Sequence, residues 1–333
     1  MSAPDVSVIV LNYNGRQFLK PCLDALAAQE GVPTFEVIVV DNASADGSAE
    51  YVREHYPAVR VHDAGANLGF AAGNNSGARV AGGRVLVFLN NDTVVAPDWL
   101  LRLTGALDTR PEFGFATSRI VFADNPGLVD SAGDGYLFAG GAFKHGYRQR
   151  TEDYAESREV FGACGCAMAM KRELFESLGG FDPAFFIFYE DVDLSYRAQL
   201  LGARCWYAAD AIVRHVGSGT MGRQSPRAVY YGQRNLEWTW LKNTPGSLLV
   251  RSGLSHAIYS LAGLAYYAKQ GLLWPALNGK LTALAGIGRV LAERRHVQRT
   301  RRAEPARVER LLTRSWWRLK RREKGTKMID GKC

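Results

Sequence analysis

The first 92 residues alternate short β-branched apolar runs with stretches of helical spacing, and the runs end in Asn or Asp. Val6–Leu11 stops at Asn12-Tyr13-Asn14-Gly15, a turn signal. Arg16–Gln29 repeats apolar residues at Phe18, Cys22 and Leu26, which predicts a helix. Phe35–Val40 is a second strand, ended by Asp41. A helix over Asp46–Tyr56, with Asp46 or Ser48 as cap, a short strand Val59–His62 and a helix of small residues Ala71–Ala81 follow. Arg84–Leu89 runs into Asn90-Asn91-Asp92. Strand and helix in strict alternation require a parallel sheet with helices on both faces. Such sheets bind ligands outside the carboxyl ends of their strands, where the Asn and Asp residues fall.

Beyond Asp92 the pattern loosens. Pro97–Leu107 reads as a helix, and Phe113–Val121 and Val160–Met170 as strand-like. Between them Ala123–Tyr154 is rich in Gly, Asp and Phe with weak periodicity, which predicts a long, partly mobile loop near the site. Glu190-Asp191-Val192-Asp193 opens a helix running to Leu201. Arg204–Tyr207 and Ile212–His215 read as short strands before Gly217-Ser218-Gly219-Thr220, and Pro226–Leu241 as a helix. From Ser247 the chain is helical: Val250, Leu254, Ile258, Leu261 and Ala265 share one face, and Leu277, Leu281, Leu284 and Leu291 another. A last amphipathic helix sets Val308, Leu311, Leu312, Trp316 and Leu319 against Arg307, Arg310, Arg314, Arg318 and Arg321.

Charge follows this division. Residues 289–333 hold 16 Lys/Arg against 5 Asp/Glu, leaving 25 against 28 before them, so the formal net charge of +8 belongs to the tail. A tail of that sign wants an anionic partner. Five cysteines, at 22, 164, 166, 205 and 333, are too few and too irregular for a disulfide framework and read as core thiols. Cys164-Gly165-Cys166 has no second pair to complete a zinc set. Met1 to Asp5 is short and lacks the basic start of a secretory signal, and the apolar run after it is a strand.

Five blocks occur in order: Val8-Ile9-Val10-Leu11-Asn12-Tyr13-Asn14; Val39-Val40-Asp41-Asn42-Ala43-Ser44; Asn67-Leu68-Gly69-Phe70-Ala71-Ala72-Gly73-Asn74; Asn90-Asn91-Asp92; and Gly180-Phe181-Asp182 leading to Glu190-Asp191-Val192-Asp193-Leu194. Together they resemble the inverting family 2 glycosyltransferases of GT-A fold, over residues 6–243, about seven-tenths of the chain. The Asn-Asn-Asp form, the Asn-Leu-Gly-Phe-Ala block and His215-Val216-Gly217-Ser218-Gly219 resemble the rhamnosyltransferase-like branch. The resemblance implies a GT-A catalytic domain over residues 1–246, with a nucleotide-sugar-binding half at 1–92 and an acceptor half at 93–246, followed by a helical, basic extension at 247–333.

It also implies roles. Asn12, Asn14, Asp41, Asn42 and Ser44 would line the nucleotide pocket, Asp41 accepting from a uracil or thymine N–H or from ribose; the same residues suit turns. Asn67, Gly69 and Asn74 would surround a helix start that favours phosphate, with capping as the plainer reading, and Asn91 would join them. Asp92 would hold Mg²⁺ or Mn²⁺ on the diphosphate, helped by Asn90, which replaces the first Asp of the family's Asp-x-Asp, and by His215, which as a lone His is equally a structural residue. Asp191 would be the base that takes the acceptor's proton and Glu190 a binder of acceptor hydroxyls. Asp193, four residues before Arg197, reads as an ion pair.

The expected donor is a nucleoside-diphosphate sugar, dTDP-rhamnose first and UDP-galactose or UDP-GlcNAc as alternatives. Ser252–Ala268 is 17 residues long, borderline for a span, so the helices are expected to lie in a membrane interface. That predicts a peripheral enzyme on the cytoplasmic side of the cell membrane, using a lipid-linked glycan acceptor, with the basic tail on the anionic leaflet. Helices packed on the catalytic domain or on a second subunit of a homo-oligomer are the competing reading. A sugar-nucleotide nucleotidyltransferase is disfavoured because Asn12-Tyr13-Asn14-Gly15-Arg16 lacks that class's glycine-rich loop. A non-enzymatic polyanion binder is disfavoured because apolar faces beside the basic stripe suit membrane rather than nucleic acid.

Overall fold

The computed structural model describes residues 4–31, 33–217, 225–317 and 319. Strands β1 (Val6–Asn12), β2 (Phe35–Asp41), β3 (Arg60–Asp63) and β4 (Val85–Asn90) are joined by helices α1 (Arg16–Ala27), α2 (Ser48–His55) and α3 (Gly69–Val80). They pair in parallel in the order β3-β2-β1-β4. Successive side chains of a strand face opposite sides. Val6, Val8 and Val10 accordingly pack with α1, α2 and α4 (Trp99–Thr109), while Ile9, Ile38 and Val40 pack with α3. The register sets Asn12 beside Asp41 and Leu11 beside Asn90, so the polar strand ends lie together at one edge of a buried sheet.

The sheet continues with mixed direction. After β5 (Thr93–Val95) and α4 come β6 (Phe113–Phe122), β7 (Val129–Ser131), β8 (Asp134–Leu137), β9 (Ala142–Lys144), β10 (Arg158–Val160) and β11 (Ala167–Lys171). Then follow α5 (Arg172–Ser177), α6 (Glu190–Leu200), β12 (Arg204–His215) and α7 (Pro226–Asn243). β11 lies antiparallel between β4 and β6, and β12 runs parallel to β6. The stretch expected to be a loop, Ala123–Tyr154, instead contains β7, β8 and β9, and residues from Val129 to Leu137 are buried. Its strands are three or four residues long and interrupted by glycine, too short to show a period. The two short strands expected at Arg204–Tyr207 and Ile212–His215 are one strand whose register shifts between Ala208 and Ile212.

The remainder is α8 (Gly246–Lys269), α9 (Leu273–Ala285), α10 (Ile287–Thr300), α11 (Pro305–Leu311) and β13 (Leu312–Thr313). The face marked by Leu277 to Leu291 is two helices, broken at Gly286 where Trp238 of α7 sits. The final amphipathic helix ends at Leu311, because Leu312–Thr313 pairs in parallel with β8 in a small sheet β13-β8-β9. Arg318, Arg321 and Cys333 lie outside the described residues, as do Ser218, Gly219 and Thr220.

Nor does the basic segment hang free from Arg289. Arg289 reaches Asp182 at 3.2 Å, Arg294 donates to the carbonyls of Leu241 and Thr244 at 2.6 Å each, and Val297 and Val308 enter a core with Tyr196 and Leu248. No helix among the described residues is long and apolar enough to cross a membrane.

Candidate active site

Three groups of side chains meet at the carboxyl ends of β1, β2 and β4. The first joins Asn12, Asn14, Asp41, Ser44 and Asn91. Asn12, fully buried, donates through Nδ2 to Ser44 Oγ (3.1 Å) and Asp41 Oδ1 (3.5 Å), and its Oδ1 accepts from Asn91 Nδ2 (2.6 Å). Asp41 Oδ2 accepts from the Ser44 N–H at 3.1 Å, an Asx turn. Asn14, at φ 50°, accepts the Ala45 N–H at 2.8 Å. The turn bonds hold these side chains together at the strand ends.

The second group sits at the start of α3. Asn42 Nδ2 donates to Asn67 Oδ1 (3.1 Å) and its Oδ1 accepts from Leu68 N–H (2.9 Å), while Asn67 Oδ1 accepts from Gly69 N–H (3.0 Å). Gly69 has φ +75°, and a Cβ there would lie 2.5 Å from the Phe186 carbonyl oxygen, so only glycine fits. Asn74 lies in the second turn of α3 rather than at its start; Nδ2 donates to Phe70 O at 3.0 Å and Oδ1 is buried without a partner.

The third group is acidic. Asp92 Oδ1 and His215 Nε2 approach to 3.3 Å, brought together because β5 pairs antiparallel with the end of β12. His215 Nδ1 is held by Asp130 Oδ2 at 2.8 Å, and Lys144 Nζ lies 3.1 Å from the same oxygen. Burial disfavours a charged ring, but Cys166, Asp130 and Asp92 around it override that and push the His215 pKa up to about 12. A carboxylate oxygen and an imidazole nitrogen converging, with a buried carboxylate orienting the ring, is a donor set that suits a divalent cation, which would displace the ring proton. Asn90 ends β4, its backbone N–H donating to Cys166 O at 2.9 Å.

Asp191 stands in the first turn of α6. Its Oδ2 accepts the Gly165 N–H and its Oδ1 the Val192 N–H, both at 2.8 Å. Burial raises its pKa above the ordinary value of 3.8, while those two N–H groups hold it back. A Cβ on Gly165 would meet Asp191 Cβ and Phe70 Cζ at 3.2 Å, so the Phe161–Cys166 segment passes between the base candidate and α3. Asp134, Cys164 and Asp191 each offer a ligand atom within 4.8 Å of the others. Burial, then the charge of Asp191, pushes the Asp134 and Glu190 carboxyls well above the usual range. Glu190 is buried and its Oε2 has no partner. Asp193 makes the expected ion pair, Arg197 Nη2 to Oδ2 at 2.8 Å, and a second with Lys242 at 2.8 Å.

The segment entering α6 is strained. Phe186, Phe188 and Tyr189 have φ of 64°, 66° and 69°, a region that costs a non-glycine residue about 1–3 kcal/mol. Asp130, Asp134, Lys144 and Gly165 were not singled out from the sequence. The first three lie in the stretch read as a loop, where Asp134 between Gly133 and Gly135, and Asp130 after the apolar pair Leu128-Val129, carry no periodicity that would mark them.

The sequence model of Glycosyl transferase family 2 matches residues 7–179. The O-antigen biosynthesis protein RfbC of Myxococcus xanthus is 32% identical over 249 residues, 68% of this chain but 18% of that protein. The N-acetylglucosaminyl-diphospho-decaprenol L-rhamnosyltransferase of Mycobacterium tuberculosis is 26% identical over 65% of this chain and 77% of its own length. The mannosyltransferase PcManGT from Pyrobaculum calidifontis, solved with GDP-Man and Mn²⁺, superposes with a TM-score of 0.54 at 21% identity, over 92% of this chain and 86% of that one. GalNAc-T7, solved with UDP, GalNAc and Mn²⁺, superposes with a TM-score of 0.55 at 18% identity, over 71% and 48%. The neighbours share the GT-A fold, and the family match covers more than half the sequence: the chain belongs to glycosyl transferase family 2.

Proposed function

We propose that the chain moves a sugar, rhamnose from dTDP-rhamnose in the first instance, from a nucleoside diphosphate to a hydroxyl of a lipid-linked glycan, with inversion. The supporting observation is Asp191: a carboxylate at a helix start, set by two backbone N–H groups, with its pKa raised toward the working range of a base. As the acceptor oxygen bonds to the anomeric carbon, its proton passes to Asp191. The bond to the diphosphate oxygen breaks and the diphosphate leaves with the electron pair. Asp92 and His215, with Asn90 beside them, would hold Mg²⁺ or Mn²⁺, which neutralises charge on the departing diphosphate. Asn12, Asn14, Asp41, Ser44 and Asn91 would receive the base and ribose, with Asn42, Asn67, Gly69 and Asn74 behind the phosphates. Glu190, buried, would act on the acceptor only through Asp191.

The lipid-linked acceptor and a membrane surface are supported by the helical extension. Val250, Leu254 and Leu261 of α8 are 83%, 76% and 66% exposed, and Trp274 of α9 71%. Residues 246–303 carry nine Lys/Arg and one Glu, a balance that suits an anionic leaflet. The rhamnosyltransferase relative is named for a decaprenol-linked acceptor.

A panel of nucleotide sugars tested for thermal stabilisation, with and without Mg²⁺ or Mn²⁺, and then for nucleoside-diphosphate release, checks the reading. dTDP-rhamnose should stabilise most, and Asp191→Asn should lose ~10²–10⁴-fold in turnover while keeping donor binding. Preference for a UDP-sugar would replace the donor. Turnover within threefold of the parent would remove Asp191 as base.

A further inference from the structure

We infer that Asn235, in the third turn of α7, is a positioning residue for Asp191; this rests on Asp191 being the base. The link is the backbone from Ala184 to Tyr189, whose last residue caps α6 two positions before Asp191. Three non-glycine residues of that hexapeptide have positive φ, a shape its own sequence does not favour, so neighbours must impose it. From α3, the Phe70 N–H donates to Phe186 O at 2.6 Å. From α7, Asn235 Nδ2 faces three carbonyls at once: Phe185 O (3.0 Å), Ile187 O (2.9 Å) and Phe188 O (2.7 Å).

Arg234 completes the clamp. Its Nη2 donates to Ala184 O (2.7 Å) and Phe185 O (2.9 Å). Its Nε donates to Asn235 Oδ1 at 2.9 Å. A guanidinium can only donate, so this contact fixes which end of the amide faces the loop. Asn235 is fully buried, and every polar atom of its side chain is engaged. It touches no reacting group. Its effect reaches Asp191 through the strained backbone, so the geometry assigns it to the precision of proton transfer rather than to donor affinity.

Asn235→Ala tests this in the full-length protein. UDP and dTDP binding with Mn²⁺, measured by calorimetry, should stay within threefold. The kcat for nucleoside-diphosphate release should fall ~10²-fold, the loss expected when a reacting group is displaced by about 1 Å, with donor KM little changed. Hydrogen exchange over residues 185–190 should rise while residues 192–200 stay protected. If Asn235→Ala does not fold, Asn235→Ser, which keeps one donor, is judged by the same criteria. A kcat within threefold of the parent, or losses of nucleotide affinity and protection throughout the protein that match the loss of kcat, overturns the inference. An inactive Asp191→Asn beside a fully active Asn235 variant refutes positioning alone, whereas an active Asp191→Asn refutes the base assignment beneath it.

Discussion

Glu237→Gln should remove a pH-dependent brace between the catalytic domain and its helices. Glu237, on α7, accepts from Ser260 Oγ of α8 at 2.9 Å and from Lys280 of α9 on one oxygen, and meets His256 Nε2 of α8 at 2.8 Å on the other. Burial alone would raise its pKa, but His256 and Lys280 outweigh that and bring it from 4.5 to about 2. A depressed carboxylate contributes stability above its unfolded pKa and loses it as pH falls toward the folded one. The drop corresponds to roughly 3 kcal/mol, present at pH 7 and lost between pH 4.5 and 2. Denaturant unfolding at a series of pH values reads it, followed by tryptophan fluorescence, to which Trp240 contributes with its ring stacked on His256, centroids 3.7 Å apart. The gap between parent and Glu237→Gln should be ~3 kcal/mol at pH 7 and close toward zero by pH 2. A gap that does not change with pH would show that the carboxylate's charge is not what braces the helices.

Two further outcomes are expected. Gly69→Ala should destabilise by roughly 1–3 kcal/mol and reduce nucleotide affinity, because its Cβ meets Phe186 O and its φ is positive; an unchanged Tm would contradict the close approach. The double variant Leu254→Ser, Leu261→Ser should keep donor hydrolysis but lose much of its flotation with vesicles of phosphatidylcholine and phosphatidylglycerol, whereas equal flotation would turn attention to a subunit interface.

The nucleotide half of the fold was legible because its signals are local. β1, β2 and β4 are mainly apolar runs, and Asn12, Asp41 and Asn90, which end them, lie together at one edge of the sheet. Asp191 was legible for the same reason, being in the first turn of a helix with a distinctive start. What escaped depends on partners far along the chain. Asp130 acquires meaning from His215, 85 residues on, and Asn235 from carbonyls some 50 residues earlier. Leu312 looks helical by spacing, since its partner on β8 is 176 positions away and no local period records a strand that short. The exposed apolar stripe was readable on α8, but the basic segment expected to seek an anionic partner includes Arg289 and Arg294, which are bonded within the molecule.

The pairing of β13 with β8 sets an order of assembly during synthesis. Residues 6–90 hold the parallel strands β1 to β4, whose mutual partners are at most 79 positions apart, so they can pair while the rest of the chain is still being made. The sheet beside Asp134 has no third strand until Leu312 is available, 176 positions after its partner Tyr136. Closing so long a loop is slow relative to the local contacts of β1 to β4. A nascent chain should therefore pair β1 to β4 well before the small sheet is complete, and a stop placed before Leu312 should leave β8 and β9 without their third strand.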